Sequence, residues 1–364
     1  MLIAAASCTK TYEVGTQSEG MPIALGTWND VMTRAPKNSF VTNDEFDVFG
    51  YKWNDGPANE TTVFNGDDVK FDGSKWTYEP IRFWDANFDH YTFYAVYPKD
   101  QLSASDAQTG IFTSNEQSFS TGAAEPLLVA QKKTVDNAAY GSPVQIVFKH
   151  TSSLLNLKFK KHPNLEDAVV TVSYVALDSL LVAGSYSNIS YDANNNPIGA
   201  QVSSVDSLGW TPAATPVYND SSATAFKKTS EVALAVDTGT DVATAGSLID
   251  SLIVMPQILN DTGNNKQQIT ITYSITTGTA PNEQTVTYQN KTIDLALFDL
   301  TDPAVDGNSD GNPDNDNTAP YIARWRPGVC YTYYITINAN GIEFTASIDP
   351  WTTETVAGHH YLIN

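Results

Sequence analysis

The chain has 364 residues, is 41% hydrophobic and 17% charged, and carries a formal net charge of -21. Its 20 lysines and arginines face 41 acids. That excludes a nucleic-acid reader built on phosphate contacts, and it argues equally against docking on anionic lipid. The 2 cysteines cannot build a disulfide framework or a four-cysteine metal site, and no apolar run approaches the roughly 20 residues of a membrane span.

In chain order, the first signal is Met1-Leu2-Ile3-Ala4-Ala5-Ala6-Ser7-Cys8. Small residues after an apolar run and before a cysteine have the shape of a lipoprotein cleavage site, with Cys8 as the lipidated residue. A secretory signal needs a basic start and an apolar stretch of about 7–15 residues. Residues 1–8 are therefore expected to be the remnant of a longer signal. Lipidation of Cys8 leaves no second cysteine for a disulfide with Cys330, which is then expected to be buried as a small hydrophobe.

Strand signals dominate from there, and no three-turn helix with caps is found. Segments 46–51, 91–97, 155–159, 168–175, 269–275 and 331–337 are rich in β-branched and aromatic residues. Most alternate with period two, the mark of a strand with one face on a core. Turn clusters separate them, including Asn65-Gly66-Asp67, Asp72-Gly73-Ser74 and Asn338-Ala339-Asn340-Gly341. Trp76, Tyr78, Phe83, Trp84, Tyr91, Phe93 and Tyr97 are expected in the core rather than on a binding surface. Many short strands with regular turns predict an all-β chain of sandwiches, with few short helices. A composition shift over 100–145 places the domain boundary near 145, giving domains 9–145 and 146–364.

Catalytic signatures are missing. There is no Gly-x-Ser-x-Gly elbow, no His-Glu-x-x-His, no Cys-x-x-Cys and no phosphate-cradling glycine loop. His359 and His360 are adjacent, so on a strand they point to opposite faces. The chain is therefore expected not to be an enzyme and to need no cofactor. One loop does invite a metal. Asp306, Asn308 and Asp310, followed by Gly311, fit the opening of a calcium loop. Its twelfth position is Asn317, not the bidentate Glu that closes such a site.

Four groups of residues, taken in order, resemble one family. They are Thr33-Arg34-Ala35 with Phe46-Asp47-Val48-Phe49-Gly50-Tyr51; Trp76-Thr77-Tyr78 with Phe83-Trp84 and Tyr91-Thr92-Phe93-Tyr94-Ala95-Val96-Tyr97-Pro98; Phe148-Lys149-His150-Thr151-Ser152-Ser153 with Val254-Met255-Pro256-Gln257; and Arg326-Pro327-Gly328 with the aromatic strand from Tyr331 and Trp351. The ordered set resembles the fimbrillins of Bacteroidales-type bacteria, the type V pilin subunits with their Mfa-like branch.

The resemblance implies two tandem transthyretin-like or Ig-like β-sandwich domains and a fimbrial subunit on the cell surface. It implies export as an outer-membrane lipoprotein, cleavage by an arginine-specific protease, and head-to-tail polymerisation with other pilin subunits by donor-strand exchange. On this chain the implied cut falls after Arg34, between Arg34 and Ala35, because Arg82 lies in an aromatic strand region and Arg324 and Arg326 come late. The implied placeholder strand is 22–28, with Ile23, Leu25 and Thr27 on one face. The implied donor strand is the tail 352–364, with Val356, Gly358, His360 and Leu362 on one face. Three Asp-Ser-Leu tripeptides resemble the O-glycosylation acceptor of the same bacteria, at Ser179, Ser207 and Ser251. The competing reading is a non-polymerising surface lipoprotein, or a tip adhesin, that binds glycan or a host protein.

Overall fold

The computed structural model describes residues 20–27, 40–54, 60–100, 103–106, 111–113, 117–118, 127–130, 133–146, 148–186, 190–191, 197–198, 210–219, 226–236, 247–260, 265–297, 299–300, 322 and 324–350. Among these residues the chain is all-β, and its helical pieces are short 3-10 turns such as Pro163–Leu165. No helix of the described residues is long and apolar enough to cross a membrane.

The first strand, β1 (Leu25–Thr27), is short. An antiparallel sheet follows, built from β2 (Glu45–Trp53), β3 (Thr61–Phe71), β4 (Trp76–Thr77), β5 (His90–Tyr97), β6 (Leu128–Ala130) and β7 (Lys133–Asp136). After β8 (Val144–Ile146), β9 (Phe148–His150) returns to the same sheet. The order is β9-β6-β5-β2-β3-β4, and β7 also pairs with β5. The second half of the chain contributes β10 (Ser153–Lys161), β11 (Val169–Asp178), β12 (Ser247–Val254), β13 (Gln268–Thr277), β14 (Gln284–Asp294), β15 (Val329–Asn338) and β16 (Gly341–Pro350). One sheet runs β12-β10-β15-β16, with Asp299–Leu300 at its edge, and the other runs from Lys227–Lys228 through β11 and β13 to β14. β10 and β15 are parallel, from Leu154 opposite Cys330 to Lys161 opposite Ile337.

Burial explains why the central strands read as so apolar. Phe46 and Val48 of β2, with Tyr91, Phe93, Ala95 and Tyr97 of β5, face an aromatic cluster that also holds Ile23, Leu25, Val144 and Ile146. The alternate residues Phe49, Tyr51, Tyr94 and Val96 face the larger cluster formed by the second half of the chain. These strands are therefore buried on both faces, not on one as the alternation predicts. Gly50 sits on the aromatic face, where an added Cβ would lie 2.7 Å from the Phe64 ring.

Two local expectations are corrected. Asn65-Gly66-Asp67 is not a turn between strands but lies inside β3. Val48 pairs with Asp67 and Phe49 with Asn65, which leaves Gly66 as the extra residue of a bulge. Its φ of 77° is the left-handed conformation that such a bulge demands and glycine supplies. Phe83 is not core: it is 46% exposed, while its neighbour Trp84 is buried. Phe83 bridges Pro22 in an antiparallel pair, and successive side chains along extended backbone alternate in direction. Only one of the two can point inward.

Other turn readings correspond to turns. Asp72 Oδ1 accepts from the backbone N–H groups of Ser74 and Lys75, closing the link from β3 to β4. Asn338 Oδ1 accepts from Asn340 N–H at the β15–β16 hairpin. Cys330 is buried and forms no disulfide.

Candidate functional site

The segment 20–27 is held by main-chain hydrogen bonds on both of its sides. It lies between two pieces of backbone that come from distant parts of the sequence. On one side, Ile23 N–H donates to Arg82 O at 2.9 Å and Trp84 N–H donates to Met21 O at 2.9 Å. On the other side, β1 runs parallel to β8, with Leu25, Gly26 and Thr27 opposite Val144, Gln145 and Ile146. Val144 N–H donates to Ala24 O at 2.8 Å. The segment thus acts as the middle strand between two edges that have no other common neighbour in the ladders described.

Side chains complete the fit. Ile23 is 1% exposed and Leu25 is 7% exposed, while Ala24 between them is exposed. Period-two alternation sends the two branched side chains into the aromatic cluster with Tyr78, Trp84 and Tyr91. Burying each stabilises the closed arrangement by about 1.5–3 kcal/mol. Tyr78 Oη donates to Ile23 O at 2.6 Å. Burial pushes the Tyr78 phenol above its ordinary value, so it stays a donor throughout the physiological range. Trp84 stacks on Tyr140, with ring centroids 4.4 Å apart, and lies edge-on to Tyr91 at 4.7 Å. Gly141, beside the Met21 side chain, has φ +88°, the left-handed conformation that favours glycine.

Outside this ladder the loop around Arg82 is open. Ile81 is 44% exposed and Met21 54%. Arg82 Nη2 pairs with Asp67 Oδ1 at 3.1 Å. Arg82 therefore does not sit in a long aromatic strand, as its neighbours suggest. Its backbone is paired through the segment 20–27 and through the Tyr78 hydroxyl.

Ile23 and Leu25 are brought together by the fold, and the backbone of Thr27 extends their ladder to Ile146. Ser179 and Ser251 are both half-buried with positive φ, 63° and 55°. Ser251 lies within β12, and its N–H donates to Asn156 Oδ1 at 2.8 Å. Cys8, Arg34, Ala35, Ser207, the loop residues Asp306, Asn308 and Asp310, and the tail residues Val356, Gly358, His360 and Leu362 lie outside the described residues. Among the described residues, no group of three or more His, Cys, Asp or Glu side chains is placed to hold a metal ion. Sequence reasoning missed Tyr78, Arg82 and Trp84 as the partners of the first segment. Nothing in their spacing to Ile23 signals a pairing some 60 residues away; only Val144-Gln145-Ile146 carries an apolar alternation that marks a strand.

The family model described as fimbrillin-like matches residues 33–351. The chain belongs to the fimbrillin-like family. Its fold is also that of a fimbrial protein from Bacteroides vulgatus, with a TM-score of 0.56 at 18% identity, covering 91% of this chain and 99% of the other. A fimbrilin from Porphyromonas gingivalis aligns at 8% identity and a TM-score of 0.39, covering 91% and 97% of the two chains. The tip fimbrial protein of the same organism, truncated at its C-terminus, aligns at 11% identity and a TM-score of 0.42, covering 88% and 98%. No curated protein matches the chain. Family membership makes this fimbrillin-like chain a fimbrial subunit of the cell surface.

Proposed function

We propose that this chain is a structural subunit of a type V pilus that is exported as a lipoprotein through Cys8, processed after Arg34, and polymerised head to tail by donor-strand exchange. Residues 9–145 form the accepting domain and residues 146–364 the donating domain, with 352–364 as the donor strand. The observation that carries this reading is the segment 20–27. It is an apolar strand held between two edges, and it precedes an arginine by only a few residues. Removing it would uncover the Ile23 and Leu25 sites together with unpaired main-chain groups on both sides, a template for another strand. Repeated transfer of one subunit's tail into the next subunit's groove does not close on itself, so it builds a filament. The subunit's partners are then other pilin subunits, an arginine-specific protease and, before processing, the outer membrane.

The test is mass spectrometry of the protein after incubation with an arginine-specific protease, combined with size-exclusion chromatography. A cut between Arg34 and Ala35, followed by oligomers that resist detergent, is expected. A protein that is cut there and remains a monomer would instead be a tip adhesin or a surface-binding lipoprotein, and glycan screening would follow. Calcium at Asp306, Asn308 and Asp310 and glycans at Ser179, Ser207 and Ser251 are read from the same intact-mass spectra, recorded with and without chelator.

A further inference from the structure

We propose that the Arg82–Phe83 peptide bond is a second, conditional cleavage site, shielded while a strand occupies the position of residues 20–27 and open to the same arginine-specific protease when that position is empty. This rests on the reading of the segment as a removable strand and extends it to the fate of an unfilled subunit.

The argument begins with what a protease needs. It binds its substrate in extended form, through main-chain bonds like those of an added β-strand. At Arg82 those groups are already taken. The carbonyl of Arg82 accepts from Ile23 N–H at 2.9 Å, and the N–H of Trp84 donates to Met21 O at 2.9 Å. Phe83 lies between them, bridged to Pro22. The flanking side chains, by contrast, already face outward. Ile81 is 44% exposed and Phe83 is 46% exposed, which presents the residues on both sides of Arg82. The Arg82 guanidinium is held by Asp67 at 3.1 Å, in a pair whose side chains are 34% and 21% exposed. The pair is partly buried and Arg82 Nε is buried as well, so the Arg82 side chain must swing outward to exchange Asp67 for a protease's acidic pocket. What withholds the main chain around Arg82 from a protease is therefore the strand beside it.

When that strand leaves, the Arg82 carbonyl loses its Ile23 donor, and only the long contact from Tyr78 Oη at 3.5 Å remains to it. Hydrolysis then proceeds with balanced chemistry. Water adds across the amide, its oxygen going to the Arg82 carbonyl carbon and a proton to the Phe83 nitrogen, and the C–N bond breaks. An incoming strand restores the shield. The cut thus separates subunits that have been filled from those opened and left empty, and it destroys the accepting edge of the latter.

The experiment uses the full chain with an arginine-specific endoprotease, following each cut by mass spectrometry. In the wild-type chain the Arg82 cut is expected only after the segment ending at Arg34 has left. A synthetic peptide of residues 20–28 in excess should slow the Arg82 cut at least tenfold and leave the Arg34 cut unchanged. Two variants separate this proposal from the processing reading. Arg34→Gln should keep the strand in place and leave Arg82 intact. Arg34→Gln combined with Ile23→Asp should expel the strand and restore the Arg82 cut at the wild-type rate. Arg324 and Arg326 flank the fully buried Trp325, so cleavage there marks global unfolding; if it occurs, Ile23→Ala replaces Ile23→Asp. An Arg82 bond that survives in the double variant, or is cut equally fast in Arg34→Gln alone, overturns the proposal. A wild-type chain uncut at Arg34 overturns only the processing reading, and the double variant still decides about Arg82.

Discussion

Truncating Ile23 to alanine is the sharpest single perturbation of the segment 20–27. The side chain is 1% exposed and sits in the aromatic cluster. Removing its three outer carbons forfeits about 0.8 kcal/mol of transfer free energy per carbon. The cavity left behind adds to this, and buried Ile→Ala changes fall in the range of about 2–5 kcal/mol. We take about 3 kcal/mol for opening of the segment, which corresponds to roughly a hundredfold change in an equilibrium constant at about 1.4 kcal/mol per decade. The assay is native-state amide exchange. Trp84 N–H donates to Met21 O and Val144 N–H to Ala24 O, so both amides should exchange about a hundredfold faster. Amides of β11 and β13, which pair with each other far from this cluster, should not change. A uniform acceleration across the chain, or none at Trp84 and Val144, would refute the idea that the segment opens as a unit separate from the core.

Three further outcomes are expected. Gly50→Ala should lower the urea midpoint by an amount worth about 1–3 kcal/mol, because its Cβ would meet the Phe64 ring at 2.7 Å and the Phe93 ring at 3.3 Å in a packed core. Asn156→Leu should cost about 1–3 kcal/mol in the same assay, since it removes the acceptor for Ser251 N–H and strands a partly buried donor. Asp47 supplies a pH test. Burial pushes its carboxyl up to about 6, although Asp100 N–H donates to it at 2.8 Å. Because the folded-state value lies above the ordinary 3.8, its contribution is fully present below about pH 4 and is lost as pH rises through about 6. Asp47→Asn keeps an oxygen for Asp100 N–H, so it should stabilise the chain at pH 8 relative to wild type and have little effect at pH 4.

The long strands were legible because their apolar content left no other choice. The segment 91–97 reads as a strand from its aromatic residues alone, and β5 is His90–Tyr97. The same holds for 269–275 inside β13 and 331–337 inside β15. What stayed hidden was polar or conditional on partners. β14 is an edge strand of mostly exposed Thr, Gln, Asn and Lys, so it carries no apolar period to detect. β3 was broken by a glycine that marks a bulge rather than a turn, and the two cannot be told apart without the partner strand. At the candidate site the alternation of Ile23 and Leu25 was visible, yet the edges that hold them were not. Arg82 to Trp84 pair through a single bridge, and one bridged residue leaves no periodic trace in a sequence. Long-range main-chain pairing is set by the fold as a whole, which is why the pairing of Arg82 emerged only from the structure.

On the proposed strand-exchange reading, the groove that holds residues 20–27 sets terms for any strand that replaces them. Ile23 and Leu25 are two residues apart, both branched and both buried. A replacement must bring two apolar side chains in the same spacing, and a main-chain oxygen for Tyr78 Oη between the flanking edges. The tail face Val356, Gly358, His360 and Leu362 offers no adjacent apolar pair, because Gly358 and His360 interrupt it. The opposite face offers Tyr361 and Ile363, which are two apart. If the groove reads its donor by filling the Ile23 and Leu25 sites, then Ile363→Asp should abolish oligomer growth after the Arg34 cut, and Leu362→Asp should leave it within about threefold of wild type, as expected when alternate side chains set specificity. Equal loss in both variants would mean that the tail enters with both faces enclosed. Loss with Leu362→Asp alone would show that the face of Val356 and Leu362 is the one inserted, and that small or polar residues are accepted where this chain buries isoleucine and leucine.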